Sequence, residues 1–457
     1  MNAILCNLCE RLILCLLVEP AWSVPAALGK GGEERNGRNS EVQIKTKGEH
    51  MAVQEDLTVA YHQQDTNYYC GAACAQMVLD SIGASLLDQD DLYADNHSHS
   101  TIEAGWYTAP DGLQWTLNDR RPAGFGGWFA LYALGSEDAI SRKIVWTIHH
   151  YHVAPVPLVF GWAHWIVVRG FDASAAPANS ADTSYSITAF DLNNPWPPTP
   201  SFYAPAMPPP PPPPPHGAAD GCGTGGNRGI ANEHITYATW QADYMTGVPA
   251  GHWNGKFVAV CDPDPPPTEL GMQRPTQKRL RGDVLLTRKA ALERASRGLE
   301  EYGLLKRKGW NSVLKGTTPG DPVLVQRLDR ADTYYYIVPY ETRQKTIAGA
   351  VSVDARFGDY RQAIALPEGG TGIMRTPSTE VVRELILGRR VQFEEPLGRI
   401  RIRKEAFCLY PTLVWKPCLE SLSPFYPFHM FTIGSRRIYV RIDGQIFTAL
   451  HDNVRGI

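Results

Sequence analysis

The chain has 457 residues, of which 43% are hydrophobic and 20% are charged. This length has room for two domains with full cores, and the composition excludes a chain that is disordered throughout. The formal net charge of −3 is nearly balanced and gives no reason to expect a nucleic-acid partner from overall electrostatics. One stretch, 274–308, carries eleven Lys or Arg residues, and we interpret it as a solvated helix face.

The start of the chain predicts a leader followed by a linker. A short apolar run, Leu12–Val18, follows Arg11 and precedes the small-residue stretch Ser23–Ala27, so residues 1–27 are interpreted as a signal peptide. The run is too short to cross a bilayer as a helix. Residues 28–50 are polar and Gly-rich, a composition typical of flexible linkers. We therefore expect a secreted or periplasmic (cell-envelope) protein with no stable membrane span, while a cytoplasmic location stays open.

Residues 51–262 are predicted to form the first domain. The predicted elements are helices at Cys70–Ile82 and Ser141–His152, and strands at Val156–Phe160, His164–Phe171 and Tyr185–Phe190. A helix followed by several strands is typical of an α+β fold rather than of repeated βαβ units. A Pro-rich insert at 197–229 interrupts this domain, and its eight consecutive prolines favour a stiff polyproline II segment.

A second Pro-rich segment, 263–275, is the predicted domain boundary. Residues 276–457 predict a separate α+β domain of unknown role. An intramolecular inhibitor, a substrate-recruiting module and a partner-binding unit all remain open, and contact between the two domains is a further expectation. The predicted elements of this part are helices at Arg288–Tyr302 and Thr379–Leu387, and strands at Tyr334–Pro339, Ala348–Val353, Arg361–Leu366, Phe431–Ile433, Ile438–Ile442 and Ile446–Leu450.

A cysteine at the predicted start of a helix carries the first chemical signal. Cys70 would feel the positive end of the helix dipole, which favours the strongly nucleophilic thiolate. Gly71 would let a substrate backbone approach, and the side-chain amide of Gln64 could donate to a developing oxyanion. Cys74 lies about one turn deeper and is interpreted as core. Taken alone, a buried structural cysteine is the commoner meaning of this pattern.

A histidine and a group that could orient it follow on the predicted strands. His164 opens an apolar strand, where an imidazole would lie at the rim of a sheet and face a cleft. After the next strand, Asp191 is the favoured residue to fix the histidine tautomer, with Asn193 and Asn194 as alternatives. A lone histidine near an apolar strand is usually structural. The functional interpretation therefore depends on the cysteine, the histidine and the orienting residue occurring together.

With Gln64, Cys70, His164 and then Asp or Asn in this order, the chain resembles the papain-like cysteine peptidases. It is closest to the bacteriocin-processing type found in the peptidase domains of export transporters. The resemblance covers about residues 55–262 and is weakest at the third site, where Asn194 precedes the proline. What it implies is a domain in which a helix bearing the Cys packs on an antiparallel sheet bearing the His.

The resemblance also implies a chemistry. A thiolate of Cys70 paired with the imidazolium of His164 would attack a peptide carbonyl, and Gln64 with the Cys70 backbone amide would hold the oxyanion. An acyl-enzyme would then be hydrolysed, with no cofactor and no metal. The expected partner is a peptide or protein substrate, and no nucleic acid is expected.

Two rival functions are left open by the same residues. A Cys-His-Asp acyltransferase or amidase, such as a transglutaminase-like enzyme, would use the same acyl transfer with another acceptor. A non-catalytic secreted binding protein would keep the papain-like fold as a scaffold. The histidine groups His97–His99 and His149–His152 are interpreted as structural or exposed rather than as metal ligands, because neither has an evident partner in the sequence.

Overall fold

Helices and sheets make up much of the part of the chain that the structure describes. The computed structural model describes residues 53–196, 230–261, 284–366, 379–387, 390–392, 399–401, 411–433, 436–453 and 456–457. All of them belong to one compact unit, His50–Ile457. The predicted leader, the linker after it, the Pro-rich insert and the Pro-rich boundary segment lie outside the described residues.

The described elements alternate between short helices and strands in the first half, and strands dominate the second half. The helices are α1 (Cys70–Ser81), α2 (Gln89–Ser98), α3 (Pro110–Arg120), α4 (Glu137–Trp146), α5 (Tyr237–Thr239), α6 (Arg288–Glu301), α7 (Trp310–Leu314) and α8 (Thr379–Ile386). The strands are β1 (Val53–Asp56), β2 (Ala130–Leu134), β3 (Val156–Val159), β4 (His164–Trp165), β5 (Val167–Ala173), β6 (Ile187–Asn194), β7 (Ile230–Thr236), β8 (Phe257–Cys261), β9 (Thr318–Pro319), β10 (Val323–Arg327), β11 (Tyr334–Glu341), β12 (Ile347–Asp354), β13 (Tyr360–Ala365), β14 (Arg390–Gln392), β15 (Arg399–Arg401), β16 (Thr412–Trp415), β17 (Phe428–Ile433), β18 (Arg436–Arg441) and β19 (Ile446–Phe447).

The largest sheet has thirteen of the described strands. Its order is β1-β5-β6-β7-β13-β12-β11-β10-β16-β17-β18-β19, and β9 pairs with β11. Its pairings are antiparallel except for β10 with β16. A four-stranded sheet has the order β2-β8-β3-β4, and β14 pairs with β15. The predicted α+β class is confirmed.

The large sheet crosses the predicted domain boundary. Strand β7 pairs with β6 on one side and with β13 on the other, with Glu233 opposite Leu192 and Ile364. Strands β6 and β7 precede the predicted boundary, and β13 follows it. The part predicted as a separate C-terminal domain therefore shares its largest sheet with the first part of the chain.

Helix α1 lies in an apolar cluster with residues of α2, α3 and β4, and its residues from Cys70 to Leu79 are all buried. At Gly71 a side chain has no room, because a Cβ there would lie 2.5 Å from the Thr108 side chain. The helix ends where Gly83 adopts φ +91°, a backbone conformation that favours glycine. The predicted helix at this position is confirmed, with its end shifted by one residue.

The predicted strand beginning at His164 is split in two. Strand β4 pairs with β3, whereas β5 belongs to the large sheet, and Ile166 lies between them. Strand β4 therefore connects the two sheets.

Among the described residues, no helix combines the length and the apolar character needed to cross a bilayer.

Candidate active site

Cys70 is the first residue of α1, and its exposed fraction is 1%. Burial raises the pKa of its thiol to about 12, although hydrogen bonds from backbone amides, that of Trp165 first among them, oppose this effect. Strand β4, to which Trp165 belongs, also carries His164. Burial thus acts against the stabilising effect of the helix dipole on a thiolate and favours the neutral thiol.

His164 is fully buried on β4, opposite Val159 of β3. Its Nε2 lies 2.8 Å from Oδ1 of Asn194. Its Nδ1 is buried and has no hydrogen-bond partner within the described part of the chain. Burial lowers the pKa of the imidazole to about 4, and the bond to Asn194 partly opposes this shift.

The contacts of Asn194 define the tautomer of His164. The backbone N–H of Trp196 donates to Oδ1 of Asn194 at 3.0 Å, so this atom is an acceptor. The bond from His164 Nε2 to the same oxygen then requires that Nε2 carries the proton. The lone pair of the imidazole is left on Nδ1, which is the state required of a general base.

Thr108 connects the cysteine helix to the histidine strand. Its side chain lies against Gly71, and its carbonyl oxygen accepts a hydrogen bond from the indole Nε1 of Trp165 at 3.1 Å. The elements that carry Cys70 and His164 are therefore held together by direct contacts. The sequence analysis did not identify Thr108, since its neighbours are 37 and 57 positions away along the chain.

Gln64 lies on the Asn194 side of the site. Its backbone N–H donates to Pro195 O at 3.0 Å, and its side-chain Nε2 donates to Thr66 O at 2.7 Å. Gln64 is fully buried, and its Oε1 has no hydrogen-bond partner among the described residues. One Nε2 hydrogen is thus engaged within its own loop, and the second is left for another acceptor.

The favoured third residue of the sequence analysis, Asp191, does not contact His164. Its carboxylate lies 2.7 Å from the guanidinium of Arg307. Asn193, the first alternative, donates from its side chain to Val59 O at 3.2 Å. The second alternative, Asn194, is the residue that meets the imidazole.

Strand geometry explains this correction. Successive side chains of a regular strand point to opposite faces, but the pairing of β6 with β7 shifts register between Leu192 and Asn194. Counting along β6 was therefore not enough to separate the alternatives. The partner of Asp191 was not predictable, because Arg307 belongs to the basic stretch that we interpreted as a solvated helix face. Its side chain is instead only 11% exposed.

A buried glutamate lies behind Asn194. Glu233 on β7 is fully buried, and burial raises the pKa of its carboxyl to about 7, while the hydrogen bond from Tyr244 opposes this. The Tyr244 hydroxyl donates to Glu233 Oε1 at 2.7 Å, and Gln362 Nε2 donates to it at 3.1 Å. Since Gln362 belongs to β13, the second half of the chain contributes to the surroundings of the site. Sequence reasoning missed Glu233.

Cys74 is fully buried, and burial raises the pKa of its thiol well above the usual value. The histidine groups are occupied by other contacts: His97 Nδ1 lies 3.0 Å from Trp106 O, and His149 Nδ1 lies 2.5 Å from Glu55 Oε1. Among the described residues, no group of three or more His, Cys, Asp or Glu side chains is arranged to hold a metal ion.

The chain was compared with known proteins in three ways. No protein-family model, no curated protein and no solved structure matches it. The functional assignment therefore depends on the geometry of the site.

Proposed function

We propose that the chain is a cysteine peptidase with a papain-like arrangement of Cys70, His164 and Asn194. The observation that carries this proposal is the bond from His164 Nε2 to Asn194, which leaves the Nδ1 lone pair of His164 free on a strand that packs in the same apolar cluster as Cys70. A thiol, a base in the correct tautomer and an orienting amide are the three parts that thiol-dependent acyl transfer needs.

In the proposed reaction, Nδ1 of His164 accepts the thiol proton as the sulfur attacks a peptide carbonyl. The tetrahedral oxyanion accepts hydrogen bonds from the Cys70 backbone amide and from the Nε2 hydrogen of Gln64 that Thr66 does not use. The imidazolium then gives its proton to the leaving amine as the C–N bond breaks. Water, activated by the same nitrogen, hydrolyses the thioester and restores the thiol.

Asn194 supports this cycle without carrying a charge. Because its Oδ1 also accepts from the backbone of Trp196, its position is fixed by the chain, and it holds the imidazole through Nε2. A neutral amide gives the imidazolium less stabilisation than a carboxylate would. This is consistent with a buried site in which both partners are uncharged before the substrate binds.

The test is to incubate the full chain with a peptide library and to identify new N-termini, with the Cys70→Ala variant as the blank. Cleavage that is lost in the variant is the expected result. Adding an amine acceptor separates hydrolysis from the rival acyltransferase reaction, since transfer would yield amide products. No new N-termini and no amide products under any condition would refute the proposed enzyme.

One observation favours a second candidate, the non-catalytic binding protein on the same scaffold. Cys70 and His164 are both almost completely buried, as structural residues are. An iodoacetamide or epoxide probe separates the two functions. Labelling of Cys70 by the probe supports the peptidase. A Cys70 that is not labelled, even in a variant in which the site is exposed to solvent, supports the scaffold. The proposed export of the protein is tested separately, by sequencing the N-terminus of the chain after expression.

A further inference from the structure

Two residues from the far end of the sequence lie beside the candidate site. Ile457 donates its backbone N–H to Trp162 O at 2.9 Å, and its carbonyl oxygen accepts from the backbone N–H of Thr108 at 3.1 Å. A short segment that is hydrogen-bonded through its backbone on both sides is held as an extended peptide is held in a groove.

The two hydrogen-bond partners of this segment lie next to residues of the candidate site. Thr108 packs against Gly71, the residue after the nucleophile, and it bonds the side chain of Trp165. Trp162 lies two residues before His164, and its indole Nε1 donates to Asn453 O at 3.1 Å. Ile457 therefore lies between Thr108, which packs on the cysteine helix, and the turn that leads into the histidine strand.

The fit of the segment is close. The exposed fraction of Ile457 is 2%, and its side chain lies in the same apolar cluster as Cys70, Trp106 and Trp165. Gly456 has no room for a side chain, because a Cβ there would lie 1.9–2.1 Å from the ring atoms of Trp106. Apolar burial and two backbone hydrogen bonds thus hold the segment against both partners.

We propose that Gly456 and Ile457 are an intramolecular occupant of the substrate groove, which must leave before a peptide reaches Cys70. This inference rests on the proposed function and adds its regulation. It accounts for a nucleophile and a base that are 1% and 0% exposed. Of the roles left open for the second half of the chain, this inference selects the intramolecular inhibitor.

The main test changes Gly456 to Ala, since even one methyl group would meet the Trp106 ring. The matched control is Gly105→Ala, a neighbouring position where an added Cβ has nothing within 4 Å. The readout is the rate of alkylation of Cys70 by iodoacetamide, located by peptide mass spectrometry, with Cys70→Ser as background. We expect an increase of about tenfold or more in Gly456→Ala and no change in Gly105→Ala.

A second variant that ends at Arg455 tests the same segment by removal. Its Cys70 should be alkylated at least as fast as in Gly456→Ala, and a synthetic peptide of residues 451–457 should slow the reaction again. Unchanged alkylation in both variants with near-ultraviolet circular dichroism preserved would overturn the inference. Loss of that signal in either variant would also overturn it, since the two residues would then be part of the fold and not a displaceable occupant.

Alkylation needs no substrate turnover, so the inference and the proposed function can fail separately. Fast alkylation of Cys70 in the shortened chain without any peptide cleavage would support the inference of an occupant and refute the peptidase. Equal cleavage of peptides by the full and the shortened chain would support the peptidase and refute the occupant.

Discussion

Strand β6 contributes to two buried polar clusters that differ in charge. Near its middle, Asp191 pairs with Arg307, which also contacts Asp172 of β5. At its end, Asn194 holds His164 through a single neutral hydrogen bond. The side chains of Asp191 and Asp172 are 1% and 6% exposed, and His164 and Asn194 are fully buried, so both clusters lie away from water.

The difference predicts separate roles for the two clusters, one in stability and one in the proposed chemistry. In the charged cluster, a guanidinium links two carboxylates, and its pKa is raised by them in spite of burial. In the neutral cluster, burial favours the uncharged forms, and Nδ1 of His164 keeps a lone pair without a partner among the described residues. Removing a partner from the first should damage the fold, whereas removing one from the second should damage the reaction.

The largest expected effect is on the reaction itself. Cys70→Ala should lower kcat/KM for peptide cleavage at least about a thousandfold, because it removes the sulfur that forms the proposed thioester. The matched control is Cys74→Ala, which removes a second buried thiol of the same helix. It should retain most of the activity of the folded fraction. Equal losses in the two variants would mean that the helix and not the nucleophile had been tested.

The next effect tests the charged cluster. Arg307→Met should lower the free energy of unfolding by about 3–5 kcal/mol, because it leaves two buried carboxylates without their cation. Urea denaturation monitored by tryptophan fluorescence measures this. Lys345→Ala is the control, since this Lys, paired with Glu341, is 69% exposed and its loss should change stability by no more than about 0.5 kcal/mol. A small effect at Arg307 would refute the structural role of the cluster.

Asn194 and Asp191 can be compared directly. Asn194→Ala should reduce kcat roughly a hundredfold, because the imidazole loses the bond that orients it. Asp191→Asn should reduce stability and leave the kcat of the folded protein within a few-fold of wild type. The opposite result, with activity lost on changing Asp191 and kept on changing Asn194, would restore the original choice of Asp191.

The smallest expected effect concerns pH. The pKa of His164 is about 4 in the folded chain and about 6.5 when unfolded, so the unfolded chain binds more protons between these values. The stability contributed by neutral His164 is complete above pH 6.5 and is lost as the pH falls through this window, by roughly 2 kcal/mol at pH 5. His164→Gln should remove this part of the pH dependence. An unchanged difference between pH 7 and pH 5 would contradict the burial of the ring.

The sequence predicted the local parts of the site well. Cys70 at a helix start follows from helix periodicity and Gly83, and His164 at the start of a strand follows from the apolar run after it. The choice among Asp191, Asn193 and Asn194 failed, because it depended on which face of β6 each residue occupies.

The unpredicted features are contacts between distant parts of the chain. Arg307 reaches β6 from 116 residues away in sequence, and β13 joins β7 across the predicted boundary. Local composition favoured a solvated helix and a linker at these positions. Pairing over such separations is decided by the whole fold and leaves little trace in a window of ten residues.

The pairing of β7 with β13 has a consequence for any attempt to prepare alone the half of the chain that carries the candidate site. A chain ending before β13 would leave the outer side of β7 as an open edge, with unpaired backbone donors and acceptors beside a buried glutamate. Such edges recruit strands from other molecules. We expect the isolated half to self-associate, so expression of the complete sequence, or co-expression of the two halves for complementation, is the route to soluble material.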